Sequence, residues 1–165
     1  MEHAQHNKQN LRQQSQSSHH YKKLILMVAL SFITMYILMY SMVNNLSNVF
    51  NNVNQFYMAG LMASPMVIIE ILLMRMMYNN SKLNTIIIIG AAILMFGFYQ
   101  GIRQQAAVGD KQFLRSMIPH HASAILMGKK AKVTDPEIKQ LIQNIITSQQ
   151  QEIDQMKAKL QQLKK

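Results

Sequence analysis

Two adjacent histidines that follow a proline are the side chains of this sequence best suited to chemistry. They end the segment Met117-Ile118-Pro119-His120-His121. The candidate metal ligands in and after this segment are Met117, His120, His121, Met127, Gln149, Glu152 and Met156. Imidazole and thioether groups without an oxygen-rich cage suit copper, above all the reduced ion, whereas calcium or magnesium would require several convergent carboxylates. We therefore predict a site for Cu+ or Cu2+, with zinc as the weaker alternative through His120, His121 and Glu152.

The position of His121 on its helix predicts that the ring points toward a partner helix. It shares one face with Ile118 and Ile125 through steps of three and four residues. Pro119 lacks a backbone donor and should kink or restart the helix just before the histidines. In an alternative interpretation, His121 is a core histidine bonded to Gln149 and the methionines only pack. The spacing leaves both interpretations open.

Two amphipathic helices are predicted to position these side chains. The first begins near Asp110 and ends at Gly128, a natural C-terminal stop. The second begins at Thr134-Asp135-Pro136-Glu137, which combines a capping box with a proline in the first turn, and its apolar spacing continues to Leu163. Together they form an antiparallel hairpin over residues 103–165. Because two helices make a thin core, we expect a second copy to complete this half-bundle.

The register of the hairpin follows from the turn between the two helices and a rise of about 1.5 Å per residue. It predicts that Met117 lies opposite Gln149 and that His121 lies near Ile145. Glu152 is expected near Leu114, at the edge of this patch, whereas Met156 lies a turn further from the histidines and Met127 lies toward the loop. One hairpin therefore does not gather every candidate ligand, so the register predicts either two sites or a dimer.

The N-terminal part of the chain contains three apolar stretches long enough to cross a hydrocarbon core of about 30 Å. They are predicted as transmembrane helices over about residues 24–43, 56–78 and 83–102, within a membrane domain at residues 22–102. The first stretch lacks the small-residue cleavage site of a signal peptide, so we interpret it as an uncleaved anchor. Residues 1–21 are rich in Gln, Asn, Ser and His and are predicted to be a disordered tail, with histidines that can bind metal weakly.

The distribution of positive charge predicts the orientation of these helices, because Lys and Arg are retained on the cytoplasmic side. The first connection, residues 44–55, has no charge. The tail and the second connection together carry six positive residues, which are Lys8, Arg12, Lys22, Lys23, Arg75 and Lys82. The larger number of positive residues in the tail and the second connection predicts that the N-terminus lies in the cytoplasm and the C-terminal hairpin lies outside it. Three positive residues on the hairpin side, Arg103, Lys111 and Arg115, argue against this orientation.

The composition excludes several classes of function. There is no cysteine, which excludes disulfides and thiolate metal sites. The net charge of +10 arises mainly at the ends of apolar runs and in the C-terminal segment, which favours membrane anchoring over nucleic-acid binding. The sequence has no nucleophile–base pair, no phosphate loop and no paired Glu-x-x-His motifs, so we do not predict an enzyme.

Two motifs in the segment from Asp110 to Leu160 carry a family resemblance. They are Met-x-x-His-His, which begins at Met117, and Gln-x-x-Glu-Ile-x-x-Met, which begins at Gln149. With them the segment resembles the domain of unknown function 305 family. The resemblance implies a ferritin-like bundle on the periplasmic side of a bacterial inner membrane, with links to copper binding and copper resistance, and it assigns the site to the same seven candidate residues. Many members repeat the domain, so a single copy favours oligomerisation.

The sequence therefore predicts an all-α protein in which three transmembrane helices are followed by a soluble hairpin that sequesters or hands over copper. Its expected partners are the lipid bilayer, a metal ion and a second copy, with no nucleic acid. One alternative is an assembly module in which the histidines only specify packing. Another is a small transport subunit that uses Glu70 and the methionines of the second apolar stretch, Met58, Met62, Met66 and Met74.

Overall fold

The computed structural model describes the backbone of residues 2–163 and the side chains of residues 19–163. All regular structure in these residues is helical. In chain order the elements are α1 Glu2–Leu38, two short 3-10 helices at Met39–Met42 and Leu46–Asn48, α2 Val53–Leu73, α3 Ser81–Arg103, α4 Asp110–Lys130 and α5 Pro136–Gln162. This order confirms the predicted all-α fold, in which long apolar helices precede a helical pair.

Three helical segments are long and apolar enough to cross a membrane. They are His19–Met42, Val53–Leu73 and Ser81–Arg103, and they overlap the predicted transmembrane helices. The second ends at Leu73, earlier than the expected residue 78. The chain turns at residues 74–77, where the Met77 amide donates to the Met74 carbonyl at 2.9 Å. The Asn80 side chain then accepts a hydrogen bond from the Leu83 amide at 3.0 Å, which caps the start of α3.

Helix α1 begins at Glu2, whereas the sequence predicted disorder through residue 21. Gln, Lys and Arg have high helix propensity, so a helix established in the apolar segment can continue through them. The side chains of residues 1–18 lie outside the described part of the chain. Metal binding by His3 and His6, whose side chains are among these, stays a prediction, and so does metal binding by His19 and His20.

The chain divides into two compact units, of which the first comprises residues 1–35 and 58–100. A polar network joins its helices: the Tyr21 hydroxyl donates to Asn84 Oδ1 at 2.6 Å, and Asn84 Nδ2 donates to the Tyr78 carbonyl at 2.8 Å. The Tyr78 hydroxyl in turn donates to Glu70 Oε1 at 3.4 Å. Burial, followed by the charge of Glu70, raises the pKa of Tyr78. Glu70 therefore has a hydrogen-bond partner within its own unit.

Three of the four methionines of the second apolar stretch are exposed, and the fourth, Met66, is half-buried. Met58, Met62 and Met74 are exposed by 40%, 46% and 41%. Side chains with this exposure lie on the outside of the unit, where Met packs readily against lipid. These three methionines therefore lie at the surface of this unit, and their use by a transport subunit stays a prediction.

The second unit comprises residues 36–57 and 101–165, and its core lies between α4 and α5. The buried residues of this core are Ile118, Ala122, Ile125, Ile153 and Leu160. The connection between the first two apolar helices packs on the same unit through Val43 and Phe50. Burial of these apolar side chains supplies the main stabilisation of the hairpin.

Hydrogen bonds also hold the start of α2, which directly follows this connection, to α4. The Val53 amide donates to Gln112 Oε1 at 3.2 Å, and Asn54 Nδ2 donates to Ser116 Oγ at 3.3 Å. The first connection and the hairpin must therefore lie on the same side of any membrane that α1 to α3 cross. This agrees with the predicted topology, while the identity of that side stays a prediction.

The register of the hairpin differs from the predicted one. His121 contacts Glu152, seven positions later on α5 than the expected Ile145, which corresponds to about 10 Å of helix rise. The backbone is extended at Ala131 and at Asp135, so the connection carries the chain past the end of α4 before α5 begins. Consistent with this offset, Ile138 near the start of α5 is 47% exposed.

Gly128 does not end α4, as the sequence predicted, because the helix continues to Lys130. A Cβ atom at Gly128 would lie 3.2 Å from the side chains of Ile142 and Ile146. That distance is tighter than ordinary van der Waals contact. The glycine therefore permits the close approach of α5 to α4.

Candidate metal site

His121 is a buried histidine of α4, with 6% of its surface exposed. Its Nδ1 atom lies 2.9 Å from the Met117 carbonyl oxygen, one helical turn earlier. Helix α4 passes through Pro119 as one element and does not restart there. The ring therefore points inward, as predicted, and its contact with the Met117 carbonyl fixes its orientation.

The other ring nitrogen of His121 faces a carboxylate. Nε2 lies 2.7 Å from Glu152 Oε2, and Glu152 Oε1 accepts a hydrogen bond from the Ser148 hydroxyl at 2.8 Å. Both nitrogens thus face acceptors, an arrangement that a doubly protonated imidazolium satisfies. A metal cation in place of that proton would form bonds of about 2.0 Å to each group, so Nε2 and the carboxylate oxygen, which are 2.7 Å apart, would have to separate to admit it.

The structure brings together only part of the predicted ligand set. The His120 side chain is exposed, although its ring centroid lies 5.9 Å from that of His121. Met127 is 53% exposed, and Met156 packs against the hydrophobic core. Met117 and Gln149 are half-buried, and the structure gives the Gln149 side chain no hydrogen bond to His121. Glu152 occupies the place that the alternative interpretation gave to Gln149.

Within residues 19–163, no group of three or more His, Asp or Glu side chains converges as a metal site. Among the predicted ligands, His121 and Glu152 are the two whose side chains the structure joins by a hydrogen bond. Sequence reasoning missed Ser148, which orients Glu152. Its signal was the four-residue spacing between Ser148 and Glu152, which places a hydroxyl and a carboxylate side by side on a helix.

Acidification is expected to weaken the hairpin through Glu152. The Ser148 hydroxyl and then the His121 ring hold the pKa of this carboxyl below its ordinary value of 4.5. The stabilising contribution is therefore complete above that value and is lost as the pH falls through the lower pKa of the folded state. For the full-length protein in detergent micelles, we expect the urea concentration at the midpoint of unfolding to decrease as the pH is lowered from 4.5. The decrease should be shallower in Glu152→Gln.

Asp154→Asn is the matched control for this pH series. Its carboxylate lies on α5 but bonds Gln150 and not His121. In Asp154→Asn the urea midpoint should depend on pH as it does in the unmodified chain. The same pH dependence in the unmodified chain and in Glu152→Gln would contradict the assignment of this effect to Glu152.

Comparison with known proteins gives two matches and one negative result. The family described as Domain of unknown function (DUF305) matches residues 99–160. Uncharacterized protein L153 of Acanthamoeba polyphaga mimivirus is 38% identical over 144 residues, which cover 86% of this chain and 93% of the viral protein. No solved structure matches the chain significantly. The DUF305 match contains the whole of α4 and most of α5, including His121 and Glu152.

Proposed function

The chain belongs to the DUF305 family, and we propose that it is a membrane-anchored protein whose hairpin binds copper on the non-cytoplasmic side. One observation carries this proposal. The Met117 carbonyl fixes the His121 ring through Nδ1, while Nε2 faces the Glu152 carboxylate. In metal sites, a ligating histidine commonly has its other nitrogen bonded to a carbonyl in this way, which orients the ring and raises its basicity.

The donor set favours the oxidised copper ion over the reduced one. His121 and Glu152 offer nitrogen and oxygen, a combination that suits Cu2+ or Zn2+, and affinity generally favours Cu2+ in such sites. The thioether of Met127 is exposed and that of Met156 belongs to the core packing. A rotation of the His120 side chain or a second copy of the chain would supply the further ligands that either ion requires.

A dimer is part of this proposal. The first turns of α5 extend past α4 and leave apolar side chains without cover, with Ile138, Leu141 and Ile145 exposed by 47%, 56% and 39%. A second hairpin packed there would bury this face and complete a four-helix arrangement. We further propose a cytoplasmic N-terminus from the positive charge of the tail. The viral origin of the relative gives no support for the expected bacterial inner membrane.

Copper titration of the full-length protein in detergent micelles tests the site. We expect His121→Ala and Glu152→Gln each to weaken Cu2+ binding by about tenfold or more, because each removes a ligand. Asp154→Asn is the control, because this carboxylate lies on α5 but bonds Gln150 and not His121, and it should change the affinity little. Unchanged affinity in both site variants would contradict the proposal, and competition with Zn2+ would decide between the two ions.

A second candidate function is that of an assembly module, and the 2.7 Å contact between His121 and Glu152 favours it. A hydrogen-bonded pair of this kind can specify the register of two helices without any metal. In that case, His121→Ala changes the oligomeric state of chelator-treated protein while Cu2+ affinity stays the same. Analytical ultracentrifugation of both forms separates the two functions.

A further inference from the structure

A concave site distinct from the histidine pair lies in the same unit. It has a volume of about 550 Å³ and lies between the two hairpin helices and the connection that joins the first two apolar helices. One wall is apolar and contains Val49, Phe50 and Leu160. Two cations, Arg115 and Lys157, line the rest together with polar groups. We call this site the basic cleft.

The cations of the basic cleft have no negative partner in the described part of the chain. No Asp or Glu lines the cleft, and the one ion pair among the described residues is that of His121 with Glu152. Lys157 Nζ lies 3.5 Å from Ser47 Oγ, a neutral group. Both Arg115 and Lys157 are half-buried. Two partly desolvated positive charges near one cavity repel each other, and a bound anion relieves that repulsion.

The shape and polarity of the cleft indicate what kind of anion fits. A guanidinium presents a planar fork of donors and an ammonium presents a compact charge, and both groups bind phosphate oxygens well. A free phosphate would leave the apolar wall of Val49 and Phe50 without a partner. A phospholipid offers a phosphate beside glycerol and acyl carbons, so it matches both parts of the cleft.

The location of the cleft favours a lipid for a second reason. The segment that contributes Ser47 to Asn51 connects one membrane-crossing segment, which ends at Met42, to the next, which begins at Val53. Residues this close to both ends lie near the headgroup layer of a bilayer. We propose that the basic cleft binds the phosphate headgroup of an anionic phospholipid, through Arg115 and Lys157. Bound lipid would also offset the positive charge that Arg115 places on the hairpin side.

Lipid retention by the full-length protein tests the proposal. The chain is placed in phosphatidylcholine nanodiscs with a minor fraction of phosphatidylglycerol, transferred to detergent and examined by native mass spectrometry. We expect phosphatidylglycerol to remain bound to the unmodified chain and its apparent affinity to fall about tenfold or more in R115Q/K157Q. Far-UV circular dichroism verifies that the variant keeps its helices.

The control has the same change in net charge at the opposite end of α4. K129Q/K130Q replaces two exposed lysines and should retain the lipid. Equal retention in R115Q/K157Q and the unmodified chain overturns the proposal, as does an equal loss in the control, which would indicate general charge attraction. A separate titration with inorganic phosphate distinguishes the source of the anion. Phosphate binding that depends on Arg115 and Lys157, without retained phosphatidylglycerol, overturns the lipid assignment.

Discussion

Replacement of Ile153 by alanine is expected to destabilise the helical hairpin by about 2–5 kcal/mol. The Ile153 side chain is 0% exposed and belongs to the core cluster with Ile118, Ile125 and Leu160. The substitution removes apolar surface from a closely packed core and leaves a cavity that a hairpin of two helices can fill only in part. Pulse proteolysis of the full-length protein in detergent, over a urea series, measures the loss.

Ile138→Ala is the matched control for this experiment. It is the same substitution on the same helix, but the Ile138 side chain is 47% exposed and lies outside the core cluster. At a protein concentration low enough to keep the chain monomeric, where no second hairpin covers Ile138, we expect a change within about 0.5 kcal/mol for a surface position of this kind. Losses of equal size at Ile138 and Ile153 would show that the hairpin core is not between α4 and α5 as described.

Gly60→Ala is expected to destabilise the first unit by about 1–3 kcal/mol, through overpacking. A Cβ atom at Gly60 would lie 2.5 Å from the Phe98 ring, so α2 and α3 would have to separate or the ring would have to move. The same change in an uncrowded helix raises stability by up to about 1 kcal/mol, because alanine is the better helix former. Thermal unfolding of the protein in nanodiscs, followed by circular dichroism, measures the net effect.

Gly97→Ala provides the control on α3. A Cβ atom there would meet nothing within 4 Å. We therefore expect Gly97→Ala to leave the midpoint unchanged or to raise it, while Gly60→Ala lowers it. The opposite order of the two midpoints would contradict the close packing of α2 against α3.

The sequence predicted the features that depend only on residues close together along the chain. The start of α5 is an example: Asp135 Oδ1 accepts hydrogen bonds from the amides of Glu137 and Ile138 at 2.8 Å and 3.0 Å, as the cap of a helix that begins with Pro136 should. The three apolar helices were equally predictable, because length and hydropathy alone make a helix able to cross a membrane.

The partner of His121 was not predictable in this way. The periodicity of α4 indicated that the ring points inward, but the residue opposite depends on how far the connection carries the chain before α5 begins. Five residues can span very different distances in helical or extended conformation, since the rise per residue is about 1.5 Å in one and about 3.3 Å in the other. The choice between Gln149 and Glu152 therefore required the tertiary structure.

The packing of the first connection onto the hairpin was hidden from the sequence for a similar reason. Phe50 lies in an uncharged segment rich in asparagine, which has the composition of an ordinary loop. Its contact with the core of α4 and α5 is long-range in sequence, and no local pattern encodes it. The basic cleft depends on the same contact, so its two cations could be recognised as neighbours only in the folded chain.

The hydrogen bonds of Val53 and Asn54 to α4 have a mechanical consequence. Their acceptors, Gln112 and Ser116, lie on the same helix as His121, and Val53 and Asn54 open α2. A ligand that turned α4 about its axis would therefore pull directly on the first turn of α2. Within the second unit, α4 and the first turn of α2 are therefore mechanically coupled.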